Sequence, residues 1–339
     1  MEPRNEFTLG VDLAQASFVA SLCAGGGDPD GWREQPTAAI AWPPHSPQGI
    51  QALLAWLDAH GVAGRCAGVV VESTGQLSYR FARALAGRGL PAVAIINPRR
   101  SKAFGLSLGV RDKTDQIEAR LLAYYGAARR PKPAPARGES EQHLRDRSRL
   151  REQYVEDLER WKNRRREVLD EEDGRVIDRT IKHLQEAIER LERASAAVVK
   201  RDPALRHQVN ALMKIRGIKR VTATTLTAEL GDLRRYSRAE LSAAAGLFPK
   251  RFESGTSVHR PPRLAKGGGG RLRRVLYMCA TSLFHSKGAL RAQIERLRGR
   301  AMSDMCIEGV MMRKLLLVAR AVMKNGGLYD EGKICHPNA

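Results

Sequence analysis

The first 130 residues alternate between two periodicities of apolar side chains. Two apolar, β-branched runs within residues 8–24 flank a short polar turn, which predicts a hairpin of two strands. Beyond the hairpin the pattern predicts a helix at 47–60, a strand at 66–72, a helix at about 77–88, a strand at 91–96 and a helix at 112–126. Paired strands followed by alternating helices and strands indicate an α/β domain on a mixed sheet, which we assign to residues 1–130.

A proline-rich break and a charged segment follow this domain. Three prolines at alternate positions between residues 131 and 135 prevent a helix from continuing. In the segment 136–202, apolar residues are spaced by four, three, four and three, as in a heptad seam: Ile177, Ile181, Leu184, Ile188 and Leu191. With Asp173 and Gly174 as its turn, the segment predicts a helical hairpin or coiled-coil arm. A structural role and a role in oligomerisation or RNA binding both fit this pattern.

Residues 203–330 predict a third, mainly α-helical domain. Its helical patterns cover about 221–230, 237–246, 271–285 and 307–325. The basic, glycine-rich stretch at 249–274 is predicted as a loop. Residues 331–339 are predicted to form a flexible tail.

The charge of the chain indicates its partner. The 339 residues include 58 Lys and Arg against 37 Asp and Glu, a formal net charge of +21. Such a surplus favours nucleic acid, through phosphate neutralisation, with an anionic membrane surface as the alternative. No apolar run reaches the roughly 18–20 residues of a membrane-spanning helix, so we expect a cytoplasmic protein with no membrane partner. Five scattered cysteines without a CxxC pair argue against a zinc ribbon or a disulfide framework.

Four carboxylates stand at positions that suggest chemistry. Asp12 interrupts an apolar strand, where a carboxylate is costly unless it is paired or metal-bound; an edge strand with Asp12 in solvent is the alternative. Glu72 ends a buried strand, and the ends of such strands face ligand crevices in open α/β sheets. Asp115 and Glu118 share one face of a helix, which is also the pattern of a solvated helix surface.

Taken together, these acids predict a metal site. Crowded carboxylates repel one another and do not all stay ionised without compensation. Mg²⁺ prefers oxygen ligands, and a two-metal site can clamp a phosphodiester for in-line displacement. In a basic chain, such a site points to phosphoryl transfer on nucleic acid.

Successive blocks of the sequence resemble one family. The blocks GVDLAQASF, VVESTG, INPRRSKAF and KTDQIEARLLA are similar to those of DEDD transposases of the insertion sequence 110 family, the bridge-RNA-guided recombinases. The blocks IRGIKRVTATTL, AAAGLFPKRFESGTSV and RRVLYMCA resemble the second conserved domain of that family. The resemblance covers nearly the whole chain in order, with the helical arm loosely matched.

This resemblance implies a fold, partners and a location. It implies an RNase H-like, RuvC-like domain at 1–130 and a transposase domain with a nucleophilic serine at 203–330. It also implies donor and target DNA, a noncoding guide RNA, and a dimer or tetramer. The implied location is the bacterial cytoplasm, in association with the nucleoid.

The resemblance also implies roles for individual residues. Asp12, Glu72, Asp115 and Glu118 would be catalytic Mg²⁺ ligands, and Ser254 the nucleophile that forms a phosphoserine link to DNA. One position departs from the family, which usually has Asp where this chain has Glu118. Glutamate keeps the charge on one more methylene, so it can still bind Mg²⁺.

An alternative register for the helical acid pair is Asp112 with Asp115. The flanking residues 113–114 and 119–120 match the family pattern around Asp115 and Glu118, and we therefore prefer that pair.

Basic residues occur in clusters that predict nucleic-acid contacts. The segment 216–219 resembles a helix-hairpin-helix turn, whose amides bind phosphate. Any single cluster is also compatible with a solvated surface. The predicted contact residues are Arg99, Arg100, Lys102, Arg216, Lys219, Arg220, Lys250, Arg251, Lys266, Arg271, Arg273 and Arg274.

Three functions fit these features of the sequence. The leading hypothesis is an RNA-guided transposase or recombinase with a covalent serine step. A hydrolytic RuvC-like nuclease would need the four acids but not Ser254. A non-catalytic nucleic-acid-binding protein would need neither.

Overall fold

The chain folds into two compact units, Met1–Ala136 and Arg137–Ala339. This computed structural model describes residues 6–25, 31–62, 64–135, 137–254, 258–264 and 269–332. The helical segment 136–202, predicted as a separate arm, is grouped with the C-terminal helices in the second unit. Most of the predicted tail, from residue 333 onward, lies outside the described residues.

The first unit is built on a five-stranded mixed sheet in the order β3-β2-β1-β4-β5. Its strands are β1 (Phe7–Leu13), β2 (Phe18–Ala24), β3 (Thr37–Ile40), β4 (Cys66–Glu72) and β5 (Val93–Ile96). Strands β1, β2 and β3 pair antiparallel, whereas β4 runs parallel to β1 and β5 parallel to β4. The predicted mixed sheet is confirmed and is compatible with an RNase H-like domain. Strand β3 escaped prediction because four residues are too few to show a period.

Helices cover both faces of this sheet. They are α1 (Pro47–Ala59), α2 (Gln76–Leu85), α3 (Pro98–Ser107) and α4 (Asp115–Arg129). Helices α1 and α2 share a core with Leu9 and Val11 of β1. Helix α4 packs on the opposite face, where its Leu122 and Tyr125 contact Val70 of β4. Period-2 alternation along the strands thus sends side chains into two separate cores.

Helix α3 was not predicted. The predicted strand ends at residue 96, and the pair Asn97-Pro98 directly after it begins a helix. The Asn97 side chain accepts a hydrogen bond from the N–H of Arg99 at 2.9 Å, and Pro98 occupies the first helical turn. An asparagine cap followed by proline is a helix start signal.

Two glycines bring α4 unusually close to the sheet. A Cβ added at Gly10 of β1 would overlap the backbone N of Ala123 and the carbonyl oxygen of Ala119. A Cβ at Gly126 of α4 would lie 2.6 Å from the Val70 side chain. The helix therefore rests directly on the strand backbone, and its distance from β1 is fixed by the absence of these side chains.

Replacing Gly10 with alanine is expected to destabilise the first unit by about 3 kcal/mol, the range in which overpacked cores lie. The new methyl group would meet rigid helix backbone, so α4 would have to move. Thermal unfolding of the full chain, followed by circular dichroism, measures the effect. Gly68→Ala on β4 is the matched control, because its Cβ would meet only the Thr8 methyl at 3.9 Å. Equal losses for both variants would contradict the close approach.

Helices dominate the second unit. They are α5 (Glu139–Glu167), α6 (Glu171–Arg201), α7 (Pro203–Met213), α8 (Arg220–Leu230), α9 (Arg238–Ala244), α10 (Gly270–Leu283), α11 (Ala289–Arg298) and α12 (Asp304–Lys324). One core joins most of them and includes Leu144 of α5 and Val199 of α6. The helical hairpin of α5 and α6 therefore contributes side chains to the core of this unit. Helices α7 and α11 were not predicted.

The turn of the helical hairpin differs from the prediction. Asp173 and Gly174 lie inside α6, and the chain reverses at residues 168–170 instead. The reason is that the Asp170 side chain caps α6 by accepting hydrogen bonds from the N–H groups of Glu172 and Asp173. Gly174 is then tolerated in the first helical turns, where its missing side chain leaves room for the Arg165 guanidinium.

The predicted loop at 249–274 was wrong. It contains an antiparallel ribbon, β6 (Pro249–Ser254) and β7 (Val258–Leu264), and the start of α10. The basic, glycine-rich composition of this stretch was the reason for predicting a loop. A two-stranded sheet forms here although β7 contains prolines, since each of its strands has an edge that needs no backbone donor.

Candidate active site

Asp12 and Glu72 emerge side by side from neighbouring parallel strands. Val11 of β1 is in register with Val71 of β4, and each acid is the next residue along its strand. Both side chains are half-buried. The parallel pairing thus brings together two acids that are 60 positions apart in the sequence.

The second pair of acids lies in the first turns of α4. The Thr114 hydroxyl caps this helix by accepting a hydrogen bond from the N–H of Ile117 at 3.2 Å. Asp115 and Glu118 follow the cap, where negative charge is favourable beside the helix N-terminus. Because α4 lies against β1, the helix carries both acids toward the strand that bears Asp12.

The charges of the other three acids affect the pKa of Asp12. It is raised from 3.8 to about 6, first by burial and then by the charges of Glu118, Asp115 and Glu72. Asp112, the alternative member of the helical pair, precedes the helix and lines a different cleft with Arg111 and Ile117. The acids whose charges raise the pKa of Asp12 thus include both members of the preferred register.

Glu72 has a partner that the sequence did not reveal. The Ser101 hydroxyl of α3 donates a hydrogen bond to Glu72 Oε2 at 2.5 Å and also contacts the Pro98 carbonyl at 3.0 Å. Ser101 is only 5% exposed. Its sole sequence signal was its place in the block INPRRSKAF. This hydrogen bond fixes the direction of the Glu72 carboxylate.

The four acids are not arranged as a complete set of metal ligands. Within the described residues, no three His, Cys, Asp or Glu side chains are arranged to hold a metal ion. Glu72 is directed by Ser101, and Glu118 lies 3.4 Å from the Lys113 ammonium group. The donor set nevertheless fits Mg²⁺, because all four groups are carboxylates. The pKa of Asp12 is raised first by burial and then by repulsion from the other three acids, and a divalent cation relieves that repulsion.

Ser254 belongs to the second unit. It is the last residue of β6 and pairs with Val258 of β7 across the ribbon.

The predicted basic contacts fall into two groups. Arg99, Arg100 and Lys102 are exposed on α3, and Lys219 and Arg220 are exposed at the start of α8. Four other predicted contact residues already have partners within the chain. Arg216 pairs with Glu331, Arg271 with Glu152, Arg274 with both Glu152 and Glu156, and Arg273 contacts the Ala245 carbonyl.

Three predicted contacts cannot be placed in this way. Lys266 lies outside the described residues, as do the side chains of Lys250 and Arg251, whose backbone belongs to β6.

Among the helices of the described ranges, none is long and apolar enough to cross a membrane.

Comparison with protein families decides the class of the chain. A model of DEDD transposases of the IS110 type matches residues 9–173, and that of the transposase IS116/IS110/IS902 family matches residues 209–295. The chain belongs to the IS110 family of transposases. The resemblance seen in the sequence is confirmed, and with it the activity of a DNA transposase or recombinase. Members of this family act on DNA and generally depend on divalent metal.

Three named proteins are similar in sequence to this chain. The pilin gene-inverting protein of Moraxella bovis is 27% identical over 95% of this chain and 97% of its own length. The protein of the same name from Moraxella lacunata is 28% identical over the same shares. The insertion element IS110 uncharacterized 43.6 kDa protein of Streptomyces coelicolor is 28% identical over 40% of this chain and 36% of its own.

Proposed function

We propose that this chain cuts and exchanges DNA strands at a Mg²⁺ site formed by Asp12, Glu72, Asp115 and Glu118. The observation that carries the proposal is the convergence of these carboxylates from β1, β4 and α4. Burial, and then the charges of the other three acids, raise the pKa of Asp12 to about 6. Bound Mg²⁺ would neutralise the phosphate and polarise the attacking and leaving oxygens.

The elements around the acids suit this task. Asp12 and Glu72 project from the centre of the sheet, and the Ser101 hydroxyl holds the Glu72 carboxylate. Asp115 and Glu118 are placed by a helix that Gly10 and Gly126 allow to contact the sheet backbone. Rigid strands and a tightly docked helix keep ligand groups within the narrow geometry that phosphoryl transfer requires.

The same proposal assigns Ser254 as the nucleophile. Its Oγ forms a bond to phosphorus as the bond from phosphorus to one DNA oxygen breaks. That oxygen takes up a proton and leaves as the hydroxyl group of a free strand end. Ser254 loses one proton in the same step, so the protons balance. The phosphoserine link retains the phosphodiester, so strands can be exchanged without an external energy source. Ser254 would act on acids of its own chain or of another chain in a multimer.

We propose three further properties on the strength of family membership. A bound noncoding RNA selects donor and target DNA, the chain acts as a dimer or tetramer, and it works in the bacterial cytoplasm at the nucleoid. The net charge of +21 supports a polyanionic partner. In the helical hairpin, Ile181 and Leu184 of the apolar seam remain half-buried, which supports a role of α6 in joining copies.

The names of two relatives suggest a second outcome of the reaction besides transposition. Both Moraxella proteins are named for inverting a pilin gene, and each covers 95% of this chain. Inversion of a DNA segment is therefore a second candidate outcome of the same chemistry. A plasmid that carries two recombination sites in inverted orientation would report inversion, whereas a plasmid with separate donor and target sites would report insertion.

Two assays test the function. A denaturing gel detects a covalent adduct between the purified chain and labelled DNA. Sequencing of RNA that co-purifies with the chain from its host tests RNA guidance. Cleavage without an adduct would favour a hydrolytic RuvC-like nuclease, and binding without cleavage would favour a non-catalytic nucleic-acid-binding protein. The absence of a defined co-purified RNA would contradict RNA guidance.

Replacing Ser101 with alanine is expected to weaken Mg²⁺ binding without removing a metal ligand. The Glu72 carboxylate would lose the hydroxyl that directs it. Changes in groups that orient metal ligands typically cost about 10–100-fold in metal affinity or activity. The Mg²⁺ concentration that gives half of the maximal cleavage rate should rise at least about tenfold.

Ser107→Ala is the matched control for this variant. Ser107 lies on the same helix and donates its hydroxyl hydrogen bond to the Phe104 carbonyl, away from the acids. Its removal should leave the Mg²⁺ dependence unchanged. An unchanged Mg²⁺ dependence in Ser101→Ala would show that Glu72 needs no such support.

A further inference from the structure

A basic cleft lies beside the acid-bearing helix α4. It has a volume of about 380 Å³, and its lining includes Trp32, Arg33, Arg111, Asp112, Ile117 and Arg120. Three guanidinium groups and one carboxylate give this lining a net positive charge. None of these arginines is among the residues predicted from the sequence to contact nucleic acid.

The wall of the cleft is preorganised. Trp32 is 3% exposed and stacks on Tyr124 of α4, with ring centroids 6.2 Å apart. The Arg33 guanidinium lies 5.4 Å from the centroid of the Trp32 ring. On the opposite wall, Arg120 Nε donates a hydrogen bond to the Gln35 carbonyl at 2.9 Å. Two of the three arginines are thus held in place before any ligand arrives.

These arginines differ from the paired ones of the second unit. Among the residues that the structure describes, Arg33, Arg111 and Arg120 form no ion pair, whereas Arg271 and Arg274 contact glutamates. Desolvated or clustered guanidinium groups without carboxylate partners are typical phosphate sites, because their planar forks match phosphate oxygens.

The cleft and the acids use opposite faces of one helix. The charges of Asp115 and Glu118 act on Asp12, while Ile117 and Arg120 line the cleft. At 3.6 residues per turn these pairs lie about half a turn apart on a helix of about 10–12 Å diameter. Since a DNA strand rises about 3.4 Å per nucleotide, the two faces are separated by about three nucleotides of strand.

We propose that this cleft binds a backbone phosphate of the DNA strand that is cut at the acid site, two to four nucleotides from the scissile phosphate. The inference rests on the proposed function of the four acids. Because Trp32 is buried beneath Arg33, its ring offers no face on which a base could stack. The cleft is therefore expected to contact the phosphate and not the base.

Binding of DNA by the full chain in EDTA tests the cleft separately from catalysis. The variant is Arg33→Gln with Arg111→Gln, two exposed side chains, and the control is Arg80→Gln with Arg83→Gln on the exposed surface of α2. The probe is a 30-nucleotide single-stranded DNA, with a duplex and an RNA of the same sequence in parallel. Fluorescence anisotropy at several salt concentrations gives the affinity and its salt dependence.

We expect the cleft variant to lose affinity for DNA on the order of tenfold and the slope of log affinity against log salt to fall by about 1. The control, which removes the same charge, should change both values less. Equal losses in the two variants would overturn the cleft as a site, and a loss confined to RNA would overturn the assignment to DNA. This experiment needs no metal, so it does not depend on whether the chain cleaves DNA.

A second measurement tests the position of the phosphate. In DNA with a mapped cleavage site, single methylphosphonates would neutralise one phosphate at a time. A substitution two to four nucleotides from the cut should slow the unmodified chain and have little further effect on the cleft variant. Sensitivity at other positions only would show that the cleft does not hold the strand being cut.

Discussion

Asp12→Asn is expected to reduce strand cleavage by about 10³-fold or more while DNA affinity changes by less than about twofold. Asp12 sits among the other three acids, so its loss removes a ligand common to the whole proposed site. DNA affinity depends mainly on basic side chains, which the substitution leaves intact. Cleavage of labelled DNA and anisotropy on the same preparations separate the two effects.

The same substitution is expected to change the melting temperature of the metal-free protein in a pH-dependent way. The pKa of Asp12 rises from 3.8 in its ordinary state to about 6, so its ionisation opposes folding. This cost is absent below about pH 4 and complete above about pH 6. Asp12→Asn should therefore melt at a higher temperature than the unmodified chain at pH 7.5, with no such gain at pH 3.8 or below. Mg²⁺ should stabilise only the unmodified chain.

Asp112→Asn provides the control within the acidic segment. Asp112 lies in the coil before α4 and lines the basic cleft. Its replacement should change the cleavage rate by less than about threefold, since Asp112 is not one of the four proposed metal ligands. If Asp112→Asn abolished cleavage and Glu118→Gln did not, the preferred pairing of Asp115 with Glu118 would be wrong.

Ser254→Ala is expected to abolish the covalent adduct and strand exchange. Removing a nucleophile in a covalent mechanism typically costs on the order of 10⁴–10⁶-fold. The variant should keep its fold and its affinity for DNA and Mg²⁺, because Ser254 ends a ribbon strand and is not one of the four acids. A denaturing gel with labelled DNA reports the adduct.

Ser257→Ala is the neighbouring control and should retain strand exchange. Mass spectrometry of a trapped complex of the unmodified chain should find the phosphodiester on the peptide that contains Ser254. Attachment to another residue, or strand exchange by Ser254→Ala, would refute the serine mechanism and favour the hydrolytic nuclease.

The N-terminal fold could be predicted because its elements carry strong periodic signals. Strand β4 was predicted with its observed bounds, and the β1–β2 hairpin followed from two apolar runs around a polar turn. Helix α3 has little apolar periodicity, and its start at Asn97-Pro98 also resembles a strand end. The β6–β7 ribbon was missed because its backbone pairing, and not an apolar face, defines it.

The candidate site shows a similar division. Carboxylates that interrupt apolar strands stand out in a sequence because their burial is costly, and Asp12 was found in this way. Ser101 does not stand out, since its contact with Glu72 spans 29 positions and exists only after α3 packs. Which arginines are paired with glutamates likewise depends on tertiary contacts and not on composition.

The ion pairs of α10 also bear on how the chain responds to salt. Arg271 lies 2.7 Å from Glu152, and Arg274 lies 2.6 Å from Glu152 and 2.5 Å from Glu156. These two arginines thus carry internal counterions supplied by α5. A nucleic acid that bound them would displace glutamates and release few small ions from the protein or the solvent. The count of 58 Lys and Arg residues therefore overstates the number of cations that are free to release counterions on binding.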